Sequence, residues 1–272
     1  MAIIAISRGT RSGGQAMAEC LAEELGYPIL GREVAQEASA RLGVSEEDLS
    51  RRWEVAPKLW EKLYSARKLY AAAIRAALAE HAAEGNLVYH GLAGQLLLRG
   101  LPAVLRVRLI ASEETRLRTL RESSGLSRRD AERYLREVDE GRARWVKSMY
   151  GENIHDPALY DVVMNLDEIS VPLACGVLAN TVRQTEFDLT DEARTRLREF
   201  RLECRVKLAL ASADDTRSLD LEVDASGGTV EVSGSVPLLA SGQTGDRISE
   251  IANSVSGVTE VRLNVEWYDP YP

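Results

Sequence analysis

Ile3-Ile-Ala-Ile-Ser-Arg-Gly-Thr-Arg-Ser-Gly-Gly-Gln-Ala16 is the stretch that decides the fold. Its first four residues are apolar without polar alternation, the pattern of a strand buried on both faces. Gly13-Gly14 then leads into a segment where Met17, Leu21 and Leu25 recur at helical spacing, and Gly26 ends it. Strand, glycine loop and helix, in that order, are the setting of a phosphate-binding loop. Glycines let the backbone curl until successive N–H groups converge on an anion, and the helix N-terminus adds partial positive charge. The usual lysine and hydroxyl of such a loop are replaced here by Gln15 and Ala16. Gln15 donates a hydrogen bond but carries no charge, and Ala16 cannot ligate magnesium. A tight strand–helix turn with no ligand is the competing reading of the same residues.

Outward from the loop, strands alternate with helices. Leu87 to His90, Val104 to Ile110 and Asp161 to Asn165 read as further short strands. Between them lie a long amphipathic helix over 58–83, with Leu59, Leu63, Ala66, Tyr70, Ala73 and Ala77 on one face, and a helix over 94–99. Two more helices start at Ser112 and Ser127, and another runs over 171–185; Ser45 is a further candidate cap. The alternation predicts an α/β fold, a parallel sheet flanked by helices. The pattern changes after Phe187-Asp-Leu-Thr190. A charged helix to about Leu210, strands over 218–223 and 229–233 joined through Gly227-Gly228, a helix over 246–255 and a last strand over 260–267 follow. This α-β-β-α-β series predicts a small, separate α+β domain at 190–272, after a first domain at 1–188.

The 272 residues, 45% hydrophobic and 28% charged, are enough for one medium and one small domain. A net charge of −8 excludes nucleic-acid binding through bulk positive charge, so no nucleic-acid partner is expected. Cys20, Cys175 and Cys204 show no metal spacing and read as small buried apolar residues in a reducing compartment. The apolar run at 1–6 is too short for a leader or a membrane span, which predicts a cytoplasmic protein.

Ile6-Ser-Arg-Gly-Thr-Arg-Ser-Gly-Gly14 resembles the opening of the cytidylate-kinase-like family, which reads Ile-Ser-Arg, a spacer and Gly-Ser-Gly-Gly-Arg. Tyr27-Pro-Ile-Leu-Gly-Arg-Glu33, Val88-Tyr-His-Gly-Leu-Ala-Gly94, Arg106-Val-Arg-Leu-Ile-Ala111, Val138-Asp-Glu-Gly-Arg-Ala-Arg144 and Tyr160-Asp-Val-Val-Met-Asn165 are similar to later family segments, in order. Gln15 and Leu92 depart from arginines usual in the family. The resemblance covers about 1–180 and implies a P-loop kinase-like fold. The region around 195–268, with Gly227-Gly-Thr-Val-Glu-Val-Ser-Gly234 and Val255-Ser-Gly-Val-Thr-Glu-Val261, resembles a BON domain. That resemblance implies a non-catalytic module for a phospholipid surface, a small ligand or a protein partner.

The first resemblance implies an ATP- and Mg²⁺-dependent nucleoside monophosphate kinase acting on CMP or a similar pyrimidine nucleotide. Arg8, Gly9, Ser12, Gly13, Gly14, Gln15 and Ala16 would form the ATP cradle, with Arg11 also flanking it. Arg116, Arg142 and Arg144 would serve as catalytic lid arginines, and Arg32 would hold the acceptor phosphate. Phosphoryl transfer needs positioning and charge neutralisation more than covalent chemistry, which is why arginines are the residues sought. Each arginine on 116–147 also reads as part of a solvated, salt-bridged helix face. His90 reads as structural or catalytic, and Trp145 as packing or base-stacking. Asp161 starts its strand and is expected to lie away from the site. No carboxylate stands out as a metal ligand. The alternative is a non-catalytic nucleotide sensor or scaffold whose BON-like domain carries a lipid or protein contact.

Overall fold

The computed structural model describes residues 2–43, 60–237 and 243–269, with the backbone alone over 60–67. Ser45, Trp53, Lys58 and Leu59, and the side chains of Trp60, Lys62, Leu63 and Ala66, lie outside the described residues. The chain forms two compact units, Met1–Glu33 with Gly85–Ala193, and Val34–Glu84 with Arg194–Pro272.

The first unit is a five-stranded parallel sheet. Its strands are β1 (Ile3–Arg8), β2 (Ile29–Leu30), β3 (Leu87–Tyr89), β4 (Val104–Ile110) and β5 (Val162–Asn165), in the spatial order β2-β3-β1-β4-β5. β1 is central, and it is central because it is apolar on both faces: Ile3, Ile4 and Ile6 are completely buried. Ile4 and Ile6 pack with Met17, Ala18 and Leu21 of α1 (Gly14–Leu25), and with Ala174, Leu178 and Ala179 from a helix near the end of the unit. The chain crosses to one side of β1 to make β2 and β3, then to the other for β4 and β5. The carboxyl end of β1 is therefore a switch point, where open α/β sheets take ligands.

Two helices begin where serines predict, and Ser170, not read beforehand, caps a third. Ser112 caps α5 (Glu113–Ser124), Ser127 caps α6 (Arg128–Tyr150) and Ser170 caps α7 (Val171–Val182), each accepting from a backbone N–H in the first turn. The short α4 (Gly94–Leu97) links β3 to β4. Two features were not legible beforehand. One is the two-residue β2; the other is α2 (Glu33–Leu42).

The cysteine reading needs correction. Cys20 on α1 and Cys175 on α7 form a disulfide, with Cα atoms 6.2 Å apart. The two helices lie side by side on one face of the sheet, so residues 155 apart in sequence meet, and sequence spacing carries no trace of it. Cys204 alone is free; burial pushes its thiol up to about 12.

The second unit contains the predicted α-β-β-α-β series: α8 (Asp191–Ser212), β6 (Asp220–Ser226), β7 (Thr229–Pro237), α9 (Gln243–Asn253) and β8 (Glu260–Tyr268). β7 pairs antiparallel with β6 and parallel with β8. Gly227 and Gly228 take φ values of 57° and 89°, the left-handed pair that a two-residue hairpin turn requires. Val206, Leu221, Val223, Val230, Val232, Ile248 and Ala252 close the core. This unit also takes in 34–84. Within it, α3 (Trp60–Ala82) meets α8: Glu80 accepts two hydrogen bonds from Arg205 at 2.6 and 2.7 Å, and Arg75 stacks 4.9 Å from the centre of the Phe200 ring.

Candidate functional site

The loop between β1 and α1 is held open. Gly13 adopts a left-handed conformation (φ 82°) as N-cap, with Leu166 packed where a Cβ would sit, and no side chain caps α1. The first N–H groups of that helix are thus left for an outside acceptor. Ser12, predicted to line the cradle, is buried and bonds within the loop and to β4. Its Oγ donates to the Gly9 carbonyl at 2.9 Å and to Leu109 O at 3.2 Å, and its N–H also returns to Gly9 O. Arg11 has a positive φ of 63° and an exposed side chain. Gln15 is exposed and donates to Glu19 at 2.7 Å, turned along its own helix, and Ala16 is exposed beside it.

Charge reaches the loop from elsewhere in the unit. Arg8, at the end of β1, folds back across α1, where a Cβ at Gly14 would overlap Arg8 Cδ. Its guanidinium donates to the carbonyl of His90, at the end of β3. Burial, reinforced by Arg142, pulls Arg8 down to about 10 against an opposing effect of Tyr89, so it remains protonated at neutral pH. Arg142 on α6 donates to Thr10 Oγ1 at 3.1 Å; burial lowers it, Arg108 and Arg116 add to this, and Asp139 opposes. Arg116 on α5 lies against Gly9, where a Cβ would come within 2.9 Å of its Nη1, and it pairs with Asp139 at 2.5 Å. Arg116 Nε is buried without a hydrogen-bond partner among the described residues.

Two residues not predicted to belong to the site complete the arrangement. Asp139 Oδ1 accepts from the Thr10 N–H at 3.0 Å and from Thr10 Oγ1 at 2.6 Å. Burial raises its carboxyl, but the hydrogen bonds from Thr10 and Arg116 together outweigh this and hold it below its ordinary value. Arg108, paired across from Ser7 in the β1–β4 register, is almost fully buried. It donates to Ser7 Oγ at 2.8 Å and lies 5.9 Å from the centre of the Tyr160 ring. Burial lowers it, Arg116 adds to the shift, and Tyr160 and Asp139 oppose. Gln95, also buried, donates to Tyr160 OH at 3.2 Å. A charged residue two places after Arg106 inside an otherwise apolar strand was the available signal for Arg108.

The other residues read from the sequence take varied places. Arg144 is exposed and pairs with Glu140 at 3.2 Å, a solvated i,i+4 contact on another face of α6. Arg32 is exposed on the turn after β2. His90 ends β3 with its ring against Gly31; burial, then Arg8, lowers its pKa, so it is neutral at pH 7. Trp145 is buried and packs edge-on against Tyr150 at 5.6 Å. Asp161 lies at the amino end of β5, where it binds Arg106.

The donor set does not fit a protein-held magnesium ion. Residue 16 carries no side-chain oxygen, the Asp139 carboxylate is engaged by Thr10 and Arg116, and no group of three metal-ligating residues occurs among the described residues. The set fits an oxyanion. Four guanidiniums surround the loop, and among the described residues Arg8, Arg108 and Arg142 make no ion pair, while Arg116 pairs with Asp139. Buried cations without counter-charge are costly, and an anionic ligand relieves that cost.

Fold and loop thus define an α/β protein of the phosphate-loop class. The chain belongs to the cytidylate kinase-like family, whose model matches residues 3–168. It is similar to the cytidylate kinase of Pyrobaculum aerophilum, 29% identical over 172 residues that cover 63% of this chain and 87% of that one. The cytidylate kinase of Pyrobaculum islandicum is 27% identical over the same shares. Among solved structures, an uncharacterized protein from Eubacterium ventriosum matches 68% of this chain and 99% of its own, with a TM-score of 0.53 and 17% identity, a likeness of fold alone. No helix among the described residues is long and apolar enough to cross a membrane.

Proposed function

We propose that the first unit binds a nucleotide through its phosphates and transfers the γ-phosphoryl group of ATP to CMP or a similar pyrimidine monophosphate. The observation that carries this reading is the convergence of Arg8, Arg108, Arg116 and Arg142 on an uncapped glycine loop at the switch point of the sheet. Phosphoryl transfer leaves the protein little covalent work. What it needs is a rigid cradle and positive charge placed where charge shifts between oxygens. Gly13 and Gly14 provide the cradle, Arg8 reaches it from β1, and Arg116 and Arg142 reach Gly9-Thr10 from α5 and α6. Arg32, at the same edge of the sheet, is the proposed acceptor-phosphate residue. Family membership and the two cytidylate kinases support the assignment of nucleotide and reaction.

The test incubates the full chain with ATP, Mg²⁺ and each nucleoside monophosphate in turn, and looks for diphosphates. Turnover highest with CMP is the expected result. Turnover with no monophosphate refutes the kinase reading. A second reading, a non-catalytic nucleotide sensor, draws on Gln15, which brings no charge and is bonded to Glu19 rather than aimed at the loop. ATP-dependent thermal stabilisation without turnover selects it.

We read 190–272 as a BON-like module that takes a protein partner. Its strand order supports the resemblance. The polar face of its sheet carries Glu222, Asp224, Glu231, Glu260 and Glu266, which disfavours anionic lipid. Co-sedimentation of the full chain with phosphatidylserine vesicles would overturn this choice of partner.

A further inference from the structure

The cation problem at this site has an unusual solution. Kinase sites of the phosphate-loop type ordinarily hold a divalent ion with a loop hydroxyl and a carboxylate. Here the hydroxyl position is the methyl of Ala16. The carboxylate bonded to the loop at Thr10, Asp139, has Oδ1 on Thr10 and Oδ2 on Arg116. A divalent cation placed against Asp139 would face Arg116 and Arg142 at close range, and like charges at partly buried positions repel strongly. Nothing in the loop offsets that repulsion, because Gln15 is neutral. The same features favour an anion. Arg116 Nε is a buried donor with no acceptor among the described residues, and Arg8 and Arg142 are half-buried and make no ion pair among the described residues. Asp139 occupies a position whose donors suit an oxyanion. It already takes the Thr10 N–H, the Thr10 hydroxyl and Arg116, as a phosphate oxygen would.

We propose that this site binds the polyphosphate of its nucleotide as the free anion, balanced by guanidiniums rather than by a protein-held magnesium ion. The inference rests on the nucleotide-phosphate reading above and sharpens its ligand class to metal-free polyphosphate. A divalent ion on the polyphosphate cancels part of the negative charge that the arginines recognise. Magnesium therefore weakens binding here instead of strengthening it.

The experiment is titration calorimetry of the full chain with inorganic tripolyphosphate and with ATP, each in EDTA and in excess Mg²⁺. The expected result is affinity tighter by about threefold or more in EDTA for both ligands, in line with their larger charge. Arg116→Gln and Arg142→Gln, each checked for an intact thermal transition, should each weaken binding in EDTA by about tenfold. Affinity equal or weaker in EDTA overturns the proposal while leaving the phosphate-site reading in place. Absence of binding by either ligand in both conditions overturns the two together.

Discussion

Asp139→Asn separates the structural and ligand-binding sides of this site in a single substitution. In the wild-type chain the carboxylate receives three hydrogen bonds, from the Thr10 N–H at 3.0 Å, Thr10 Oγ1 at 2.6 Å and Arg116 at 2.5 Å. An asparagine keeps one acceptor oxygen and turns an amide toward a donor, so at least one charge-assisted bond is lost, worth about 1.5–3 kcal/mol. The pair is largely enclosed, with side-chain exposures of 16% for Arg116 and 24% for Asp139, so solvent screening removes only part of the Coulomb contribution. Removing the partner of such a pair places the whole effect at about 2–3 kcal/mol. For a chain of this size that is a fall in Tm of roughly 5–10 °C. Urea titration and thermal melting measure it, and the acid limb adds a check. Because the folded-state pKa of Asp139 is lowered, its stabilisation is complete above the ordinary carboxyl range of about 4 and is lost as pH falls through the folded value. The variant should therefore lose less stability than the wild type on acidification. Tripolyphosphate should then close part of the gap, because it gains donors for which Asp139 had competed. A variant within about 0.5 kcal/mol of wild type would refute the lock at Thr10. One that is destabilised but not preferentially restored by tripolyphosphate would refute the overlap between carboxylate and phosphate positions.

Gly14→Ala places a methyl on Arg8 Cδ, so tripolyphosphate affinity should fall by about tenfold as read by calorimetry, even though alanine in a helix ordinarily gains about 1 kcal/mol over glycine; unchanged affinity removes Arg8 from the site. Reduction of Cys20–Cys175, which closes a loop spanning 155 residues, should lower stability by about 4–5 kcal/mol on the chain-entropy account, measured as the urea midpoint with and without reductant and in Cys20→Ala. A midpoint insensitive to both speaks against the bridge. Arg142→Ala should cut turnover and tripolyphosphate affinity, and Arg144→Ala, an exposed residue paired only along its own helix, should leave both within twofold, about 0.4 kcal/mol. The reverse order would place the wrong arginine at Thr10.

The fold was largely legible because its signals are local. A strand such as Ile3-Ile-Ala-Ile, the caps at Ser112 and Ser127, and the glycine pair at 227–228 each state their conformation within a few residues. β2 was not legible, since two residues hold too little pattern for a strand; α2 was not read either, although apolar residues recur along it. The site was legible in part for the same reason. The loop announced itself, and Arg8 was readable as the residue ending a buried strand at the ligand-binding edge. Its electrostatics were not, because they depend on tertiary placement. Arg142 and Arg144 are two residues apart on one helix, and a turn of about 100° per residue sends one to Thr10 and the other to solvent. Asp139 stands one helical step before Arg142 in the sequence, yet across the fold it bonds Thr10 and Arg116. Cys20 and Cys175 follow the same logic. A loop without its own lysine can still be a phosphate site, provided the sheet and the helices beside it bring the charge. The sequence therefore understated the proposed site: the arginines that would supply the charge Gln15 lacks lie on four elements, β1, β4, α5 and α6, and only their folding together brings them to the loop.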